Sequence, residues 1–143
     1  MGTIKAVCTS DRKGIQKTAQ PSIVLKEDWG IDGDAHAGNW HRQVSLLAFE
    51  KIQDFNAQGA GVVDGAFGEN IVVEGFDLKT LPIGTRFKSG EVELELTQVG
   101  KECHSHCAIY HKMGDCIMPR EGVFCRVLHG GRLMVGDSFE IVA

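Results

Sequence analysis

The sequence predicts a mainly β fold, a closed β-barrel with one principal helix and short loops. Three observations lead there. Glycine is abundant, 18 residues against three prolines, as expected where many tight turns separate short strands. Short apolar or alternating runs recur along the whole chain, mostly fenced by those glycines. One stretch alone carries clear helical spacing. Many short strands with a single helix favour a closed barrel over a layered α/β fold, and the irregular spacing of the runs argues against a simple up-and-down meander.

Element by element, Thr3 to Thr9 is rich in β-branched residues and reads as a strand. Ser22 to Lys26 is a second, centred on Ile23, Val24 and Leu25, and Gln43 to Leu47 a third. The third runs into a helix near Ala48–Ala57, where Phe49, Ile52 and Phe55 recur at helical spacing and Gly59 is a natural stop. Gly68 to Glu74 holds Ile71, Val72 and Val73. Glu91 to Val99 is the cleanest strand: Val92, Leu94 and Leu96 alternate with Glu91, Glu93 and Glu95, one face for the core and one for water. Val123 to Leu128 and Ser138 to Val142 complete the set, around turns at Gly130–Gly131 and Gly136–Asp137.

Composition bounds the remaining choices. The 143 residues, 43% hydrophobic and 24% charged, fit one ordinary domain spanning 1–143 with a core that needs no disulfide or metal staple. No repeat, low-complexity tract or linker divides it. A formal charge of −4 gives no global pull toward nucleic acid or acidic membranes. No run approaches the roughly 18 apolar residues of a membrane span, and the first ten residues lack an export signal. A cytoplasmic address follows as the expectation. There the five cysteines stay reduced, as packing residues, ligands or reactive groups.

The densest chemistry lies in Gly100-Lys-Glu-Cys-His-Ser-His-Cys107, which follows the best strand directly. Two thiols, two imidazoles and a lysine fall within seven residues. Thiolate is the reactive form of cysteine, and neighbouring lysine or imidazolium lowers the thiol pKa. A nucleophile or a soft-metal ligand is therefore expected here, against the plainer reading of packing cysteines and surface histidines. Zinc is a rival. Cys103, Cys107, Cys116 and Cys125 are separated by three, eight and eight residues, whereas structural zinc sites pair ligands closely on both sides. Cys8 and Cys125 fall inside strands and are expected to be buried and inert.

Two further segments carry polar groups. Gly30-Ile-Asp-Gly-Asp-Ala-His-Ala-Gly38 is a tight loop or pair of turns, without the last glutamate of a calcium loop or the Gly-Lys-Ser/Thr of a phosphate loop. A hairpin turn explains its glycines but not His36, nor Arg42 just before the next strand. Arg12, Lys13 and Lys17 follow the first strand, and Arg120 and Arg126 come late. Each alone is an ordinary surface charge, but from loop positions several could converge on an anion.

Taken in order, these segments resemble the MOSC domain, the module named for the C-terminal part of molybdenum cofactor sulfurases. The first signature is Gly30 to Gly38 with Arg42-Gln-Val-Ser-Leu-Leu47. The middle is Phe67-Gly-Glu-Asn-Ile71 with Gly75, Leu78 and Leu81-Pro-Ile-Gly84. The cysteine-bearing end runs from Gly100 to Cys107, through Met118-Pro-Arg-Glu-Gly122, to Gly136-Asp137. The resemblance implies a barrel of complex topology with a cysteine at its binding cleft. It also implies molybdenum cofactor (molybdopterin) binding, or a sulfur-carrier role with the cysteine as metal ligand or persulfide. In the family pattern the key cysteine precedes a short apolar pair. Cys107, before Ala108–Ile109, fits best, with Cys103 in reserve.

The expected site has Cys107 as metal ligand or sulfur carrier. Phosphate and pterin contacts come from Arg12, Lys13, Lys17, Arg42 and Arg120, and His36 and Asn70 serve as polar anchors. The chain has no room for a desulfurase domain and no lysine poised for a Schiff base. Pyridoxal phosphate would enter only through a partner cysteine desulfurase, and a molybdoenzyme is the other expected partner. The competing expectations are a non-catalytic module that stores or passes the cofactor, and a zinc-stabilised domain.

Overall fold

The computed structural model describes residues 2–12, 16–100 and 121–142. In chain order the elements are β1 (Gly2–Thr9), β2 (Thr18–Gln20), β3 (Ser22–Lys26), β4 (Gly30–Ile31), β5 (Val44–Ala48), α1 (Phe49–Ala57), β6 (Ile71–Glu74), β7 (Arg86–Ser89), β8 (Val92–Val99), β9 (Val123–His129), β10 (Gly131–Met134) and β11 (Ser138–Val142), with a 3-10 turn at Leu78–Thr80. Seven strands close a barrel in the order β1-β6-β5-β9-β8-β7-β11, with β11 returning to β1. The expected mainly β, closed barrel is what the described residues form, with α1 as its principal helix. No helix among the described residues is long and apolar enough to cross a membrane.

Every neighbouring pair in the barrel is antiparallel except β5 and β6. Parallel neighbours cannot be joined by a tight hairpin, and α1 occupies the crossover between them. The helix packs Ile52 and Phe55 on the outside of the wall, in a cluster with Ala6, Cys8, Leu47, Phe67, Val72 and Phe124. Val44, Leu46, Ile71 and Val73 point the other way, into the barrel core. β5 and β6 are thus buried on both faces, which explains the unbroken apolar runs Leu46–Leu47–Ala48 and Ile71–Val72–Val73.

β1 closes the ring. Along one edge it pairs with β6, from Thr3 opposite Glu74 to Val7 opposite Ile71. A strand has only two edges, so β11 and β2 share the other, β11 at Gly2–Thr3 and β2 at Val7–Thr9. The register shifts between Ile4 and Ala6. This bulge resets the alternation: Ile4 and Val7, three apart, both enter the barrel core, while Ala6 and Cys8 face the helix side.

β8 behaves as its alternation requires. Val92, Leu94 and Leu96 are buried in the core, Glu91 is exposed, and Glu93 and Glu95 are half-buried. A separate sheet, β10-β3-β4, lays Ile23, Leu25, Ile31 and Leu133 into the same core.

Candidate functional site

The polar groups of interest gather where residues 32–43 run between β4 and β5. Asp34 anchors the first part of this loop. Its carboxylate accepts the backbone N–H of Ser10, at the end of β1, at 3.1 Å and that of His36 at 3.1 Å. The loop is held to the same point from the other side, because the Ala35 N–H donates to the Ser10 carbonyl at 2.8 Å. Lys17 closes the arrangement. Its Nζ lies 2.7 Å from Asp34 Oδ1, 3.1 Å from Ser10 Oγ and 3.0 Å from His36 Nδ1. Both partners of the ion pair have side chains that are 0% exposed.

Lys17 is delivered by a turn built around Glu69. This fully buried carboxylate accepts the Gly65 N–H at 2.9 Å and the Phe67 N–H at 3.0 Å. Gly65 in turn accepts the Lys17 N–H on its carbonyl at 2.9 Å. Glycine is required at 65 on two counts: φ is +89°, and a Cβ would overlap the Lys17 carbonyl oxygen. Burial pushes the Glu69 carboxyl up to about 7, against the lowering effect of the Gly65, Glu69 and Phe67 backbone N–H groups and with a smaller rise from nearby Asp64.

A carboxyl raised in the folded state stabilises the fold most where it is protonated in both states, below its ordinary value near 4.5. That contribution is lost as pH rises through the folded-state value. The stability difference between wild type and Glu69→Gln is therefore expected to move against wild type by about 3 kcal/mol between about pH 4.5 and 7.5. Denaturant titrations across that range check this, and a pH-independent difference would show that Glu69 does not titrate there.

The second part of the loop carries Arg42. Its guanidinium carbon sits 4.6 Å from the centre of the Trp40 ring and 5.4 Å from that of Phe124 on β9. The segment is fixed on both sides. Thr97 Oγ1 on β8 donates to the His41 carbonyl. Buried Gln43 uses its amide to reach Asp28 at 3.1 Å and to accept the Val127 N–H at 3.0 Å. Among the described residues no carboxylate or other acceptor takes a hydrogen bond from the Arg42 guanidinium. The arrangement is a cation set against two rings, with no hydrogen-bond acceptor for it among the described residues.

From His41, next to Arg42 in the chain, a short relay of hydrogen bonds leads to Gly100. His41 Nε2 meets Gln98 Oε1 at 2.8 Å, and Gln98 Nε2 donates to the Gly100 carbonyl at 2.7 Å. The Gly100 N–H pairs with the Gly122 carbonyl at 2.7 Å. Cys103 follows Gly100 by three residues in the sequence. Cys103 and Cys107 themselves lie outside the described residues, as do Lys13 and Arg120.

The other expected site residues have distinct places. Arg12 is exposed and its Nε lies 3.8 Å from its neighbour Asp11. Lys17, expected among the anion contacts, instead has its ammonium enclosed by Asp34, Ser10 and His36. An ammonium with three partners and no solvent exposure is held as a structural cation, not poised for a Schiff base. Asn70 is fully buried: its side chain accepts from the Ser45 N–H and donates to the Cys8 carbonyl, bracing β1 against the start of β5. Arg126 is surface-bound to Glu95 at 3.2 Å.

Cys8 and Cys125 are free, fully buried thiols. Burial, with Glu69 and Asp64 adding, pushes Cys8 up to about 12; burial and Glu95 push Cys125 up as well. Cys125 is part of the barrel core, so a four-cysteine zinc set loses one of its members. No cluster of three or more candidate metal ligands occurs among the described residues.

Fold and site together define a small β-barrel protein whose β4–β5 loop carries Arg42, set against two aromatic rings, and Asp34, paired with buried Lys17 from the β1–β2 connection. The chain belongs to the MOSC domain family, whose profile matches residues 32–140. The match leaves out β1, which closes the barrel. No curated protein matches the sequence. Among solved structures, the YuaD protein of Bacillus subtilis superposes with a TM-score of 0.81 at 20% identity, covering 99% of this chain and 96% of that one. YiiM of Geobacillus stearothermophilus gives 0.74 at 18% identity, over 100% and 76%. YiiM of Escherichia coli gives 0.65 at 18%, over 99% and 70%. At these identities the likeness is one of fold. Membership of the family is consistent with a function related to the molybdenum cofactor.

Proposed function

We propose that this chain binds the molybdenum cofactor at Arg42, whose guanidinium lies against Trp40 and buried Phe124, with Cys107 as the thiolate ligand and Cys103 in reserve. The observation that carries the reading is Arg42. A guanidinium set against two rings, with no acceptor among the described residues, is preorganised to take a phosphate or pterin oxygen through its planar fork. The relay through His41 and Gln98 ties the Arg42 loop to Gly100, where the cysteine segment begins. A soft sulfur ligand suits the metal. Bound, the cofactor supplies redox chemistry at its metal, while the protein's part is to hold the anionic end and present a thiolate.

The same thiolate suits sulfur transport. Cys107 would attack the outer sulfur of a donor persulfide, forming its own S–S bond while the donor's S–S bond breaks and the donor leaves as thiolate. The donor would be a pyridoxal-phosphate cysteine desulfurase and the acceptor a molybdoenzyme. Storage or transfer without turnover uses the same contacts.

The test is production in a cofactor-making host, with molybdenum and pterin measured on the purified protein. Wild type is expected to retain both in equal amounts, and Arg42→Ala to retain about tenfold less or lower, since hydrogen bonds to charged groups contribute about 1.5–3 kcal/mol. Wild type that carries neither, or an Arg42→Ala protein that retains both in full, overturns the reading. Stoichiometric zinc in their place, with unfolding on chelation, would instead establish the zinc-stabilised domain.

A further inference from the structure

Gln98 lies where strand alternation aims a side chain into the barrel. Val92, Leu94 and Leu96 point into the core, and position 98 is the next of that series. The β8–β9 register shows how a polar residue can stand there. Leu96 is opposite Cys125 and Gln98 is opposite Phe124, so Thr97 is an extra residue without a counterpart on β9. Residues directly opposite each other share a face. Cys125 belongs to the barrel core and Phe124 to the cluster on the helix side, so the bulge turns Gln98 outward, to the face that Thr97 already has. Two consecutive side chains of β8 thus meet the segment that carries Arg42.

Both close on the groups that flank the guanidinium. Thr97 Oγ1 has one hydrogen and lies against two carbonyls, that of His41 and, at 3.1 Å, that of Phe124. His41 precedes Arg42 in the chain, and the Phe124 ring lies 5.4 Å from the guanidinium carbon. One hydroxyl therefore spans the two sides of the arginine. Gln98 takes the His41 ring. The Gly100 carbonyl only accepts, so the amide nitrogen faces it at 2.7 Å, and Oε1 faces His41 Nε2 at 2.8 Å. The amide oxygen also only accepts, so Nε2 carries hydrogen, and a neutral His41 ring has its lone pair on Nδ1.

We propose that the Thr97–Gln98 bulge is a positioning device for Arg42. Thr97 clamps the arginine's chain to the strand that supplies Phe124, and Gln98 holds the His41 ring with hydrogen on Nε2. The guanidinium fork is thereby aimed before an anionic ligand arrives, which lowers the ordering cost of binding. Thr97 and Gln98 act through His41 and Arg42 as positioning residues. The clamp and the tautomer stand on the geometry alone; the ligand half rests on the cofactor reading given above.

Nitrogen-15 imidazole spectra of the full chain at about pH 8, above the ordinary imidazole range, test the clamp, with His41→Gln identifying the ring by its loss. Wild type is expected to show a pyrrole-type Nε2 and a pyridine-type Nδ1 for His41, and Gln98→Leu to move both nitrogens toward the tautomer average. A pyridine-type or averaged Nε2 in wild type overturns the clamp, whether or not Gln98→Leu folds, and so does a Gln98→Leu spectrum identical to wild type. For the ligand half, molybdenum and pterin are measured on protein from a cofactor-making host. Thr97→Val, which keeps the shape and removes the hydroxyl, is expected to retain several-fold less than wild type, and Thr97→Ser to retain most of it. In an Arg42→Ala background Thr97→Val is expected to lower retention no further, because a residue acting through the arginine has nothing left to position. Where Thr97→Val does not fold, Gln98→Leu takes its place in the same cycle. Loss by the same factor in both backgrounds, or full retention by Thr97→Val with wild type loaded, overturns the positioning role and leaves cofactor binding standing. Wild type that loads nothing defeats the cofactor reading and with it the ligand half, while the imidazole spectra still decide the clamp.

Discussion

Replacing Lys17 with methionine is expected to cost about 3–5 kcal/mol of folding stability, the range for breaking a buried ion pair by removing one partner. The loss arises from what is left behind. Asp34 would stay buried, still accepting the Ser10 and His36 backbone N–H groups but without its counter-charge, and Ser10 Oγ and His36 Nδ1 would each lose a donor. Asp34 ties β1 to the loop that carries Arg42, so the damage spreads from a charge to a piece of architecture. The double variant Lys17→Met/Asp34→Asn should lose less than Lys17→Met alone, because it removes the stranded charge, and the two changes should be strongly non-additive. Equilibrium urea unfolding of the four proteins of this cycle measures both. A loss under about 1 kcal/mol in Lys17→Met, with an unchanged denaturant slope, would mean that the pair is not buried as described.

Lys17 also shows where reading the sequence stops. Among Arg12, Lys13 and Lys17 nothing local distinguishes an exposed arginine from an enclosed ammonium. The partner that decides it, Asp34, lies 17 residues on, and its role depends on the turn that Glu69 and Gly65 build far downstream. Arg42 is similar. Its place beside the β5 strand is legible, yet Phe124 comes from β9 and is brought beside it only by the β5–β9 pairing of Ser45 with Phe124. Glu69 and Asn70 were visible as a polar pair in an apolar neighbourhood, and such a pair before a strand is the signal that could have marked them as buried braces.

The fold was far more legible, because periodicity is a local property. The alternation in β8 and the helical spacing in α1 are set by which face meets the core, and the doubly buried β5 and β6 announce themselves as continuous apolar runs. The strands that escaped are short or edge elements. β2, β4, β7 and β10 span two to four residues, too few for a period to register. The resemblance to the MOSC pattern supplied the complex topology that local reasoning could not, and the closure through both edges of β1 is the element that makes it complex.

The five cysteines should separate by reactivity over a wide range. At pH 7.5, limiting iodoacetamide is expected to label Cys107 first, with Cys103 its competitor, and to leave Cys8 and Cys125 untouched while the protein is folded. Iodoacetamide attacks thiolate, so the rate follows both ionisation and access. Cys8 is raised from an ordinary 9.0 to about 12, which alone lowers its thiolate fraction about a thousandfold. Its complete burial against Phe67 and Val72 on the helix side of the wall slows it further. Cys125, inside the barrel and raised by burial and by Glu95, should be slower still. Cys107 has Lys101, His104 and His106 close in sequence, and positive neighbours favour the thiolate. Digestion and mass spectrometry at short labelling times give the order directly, and protein loaded with cofactor should show Cys107 protected. Cys107→Ser should lose molybdenum or persulfide sulfur while unfolding at the same urea concentration as wild type. Labelling of Cys107 no faster than Cys8, together with undiminished metal or sulfur in Cys107→Ser, would remove the thiol from the function and leave Arg42 to bind its ligand without it.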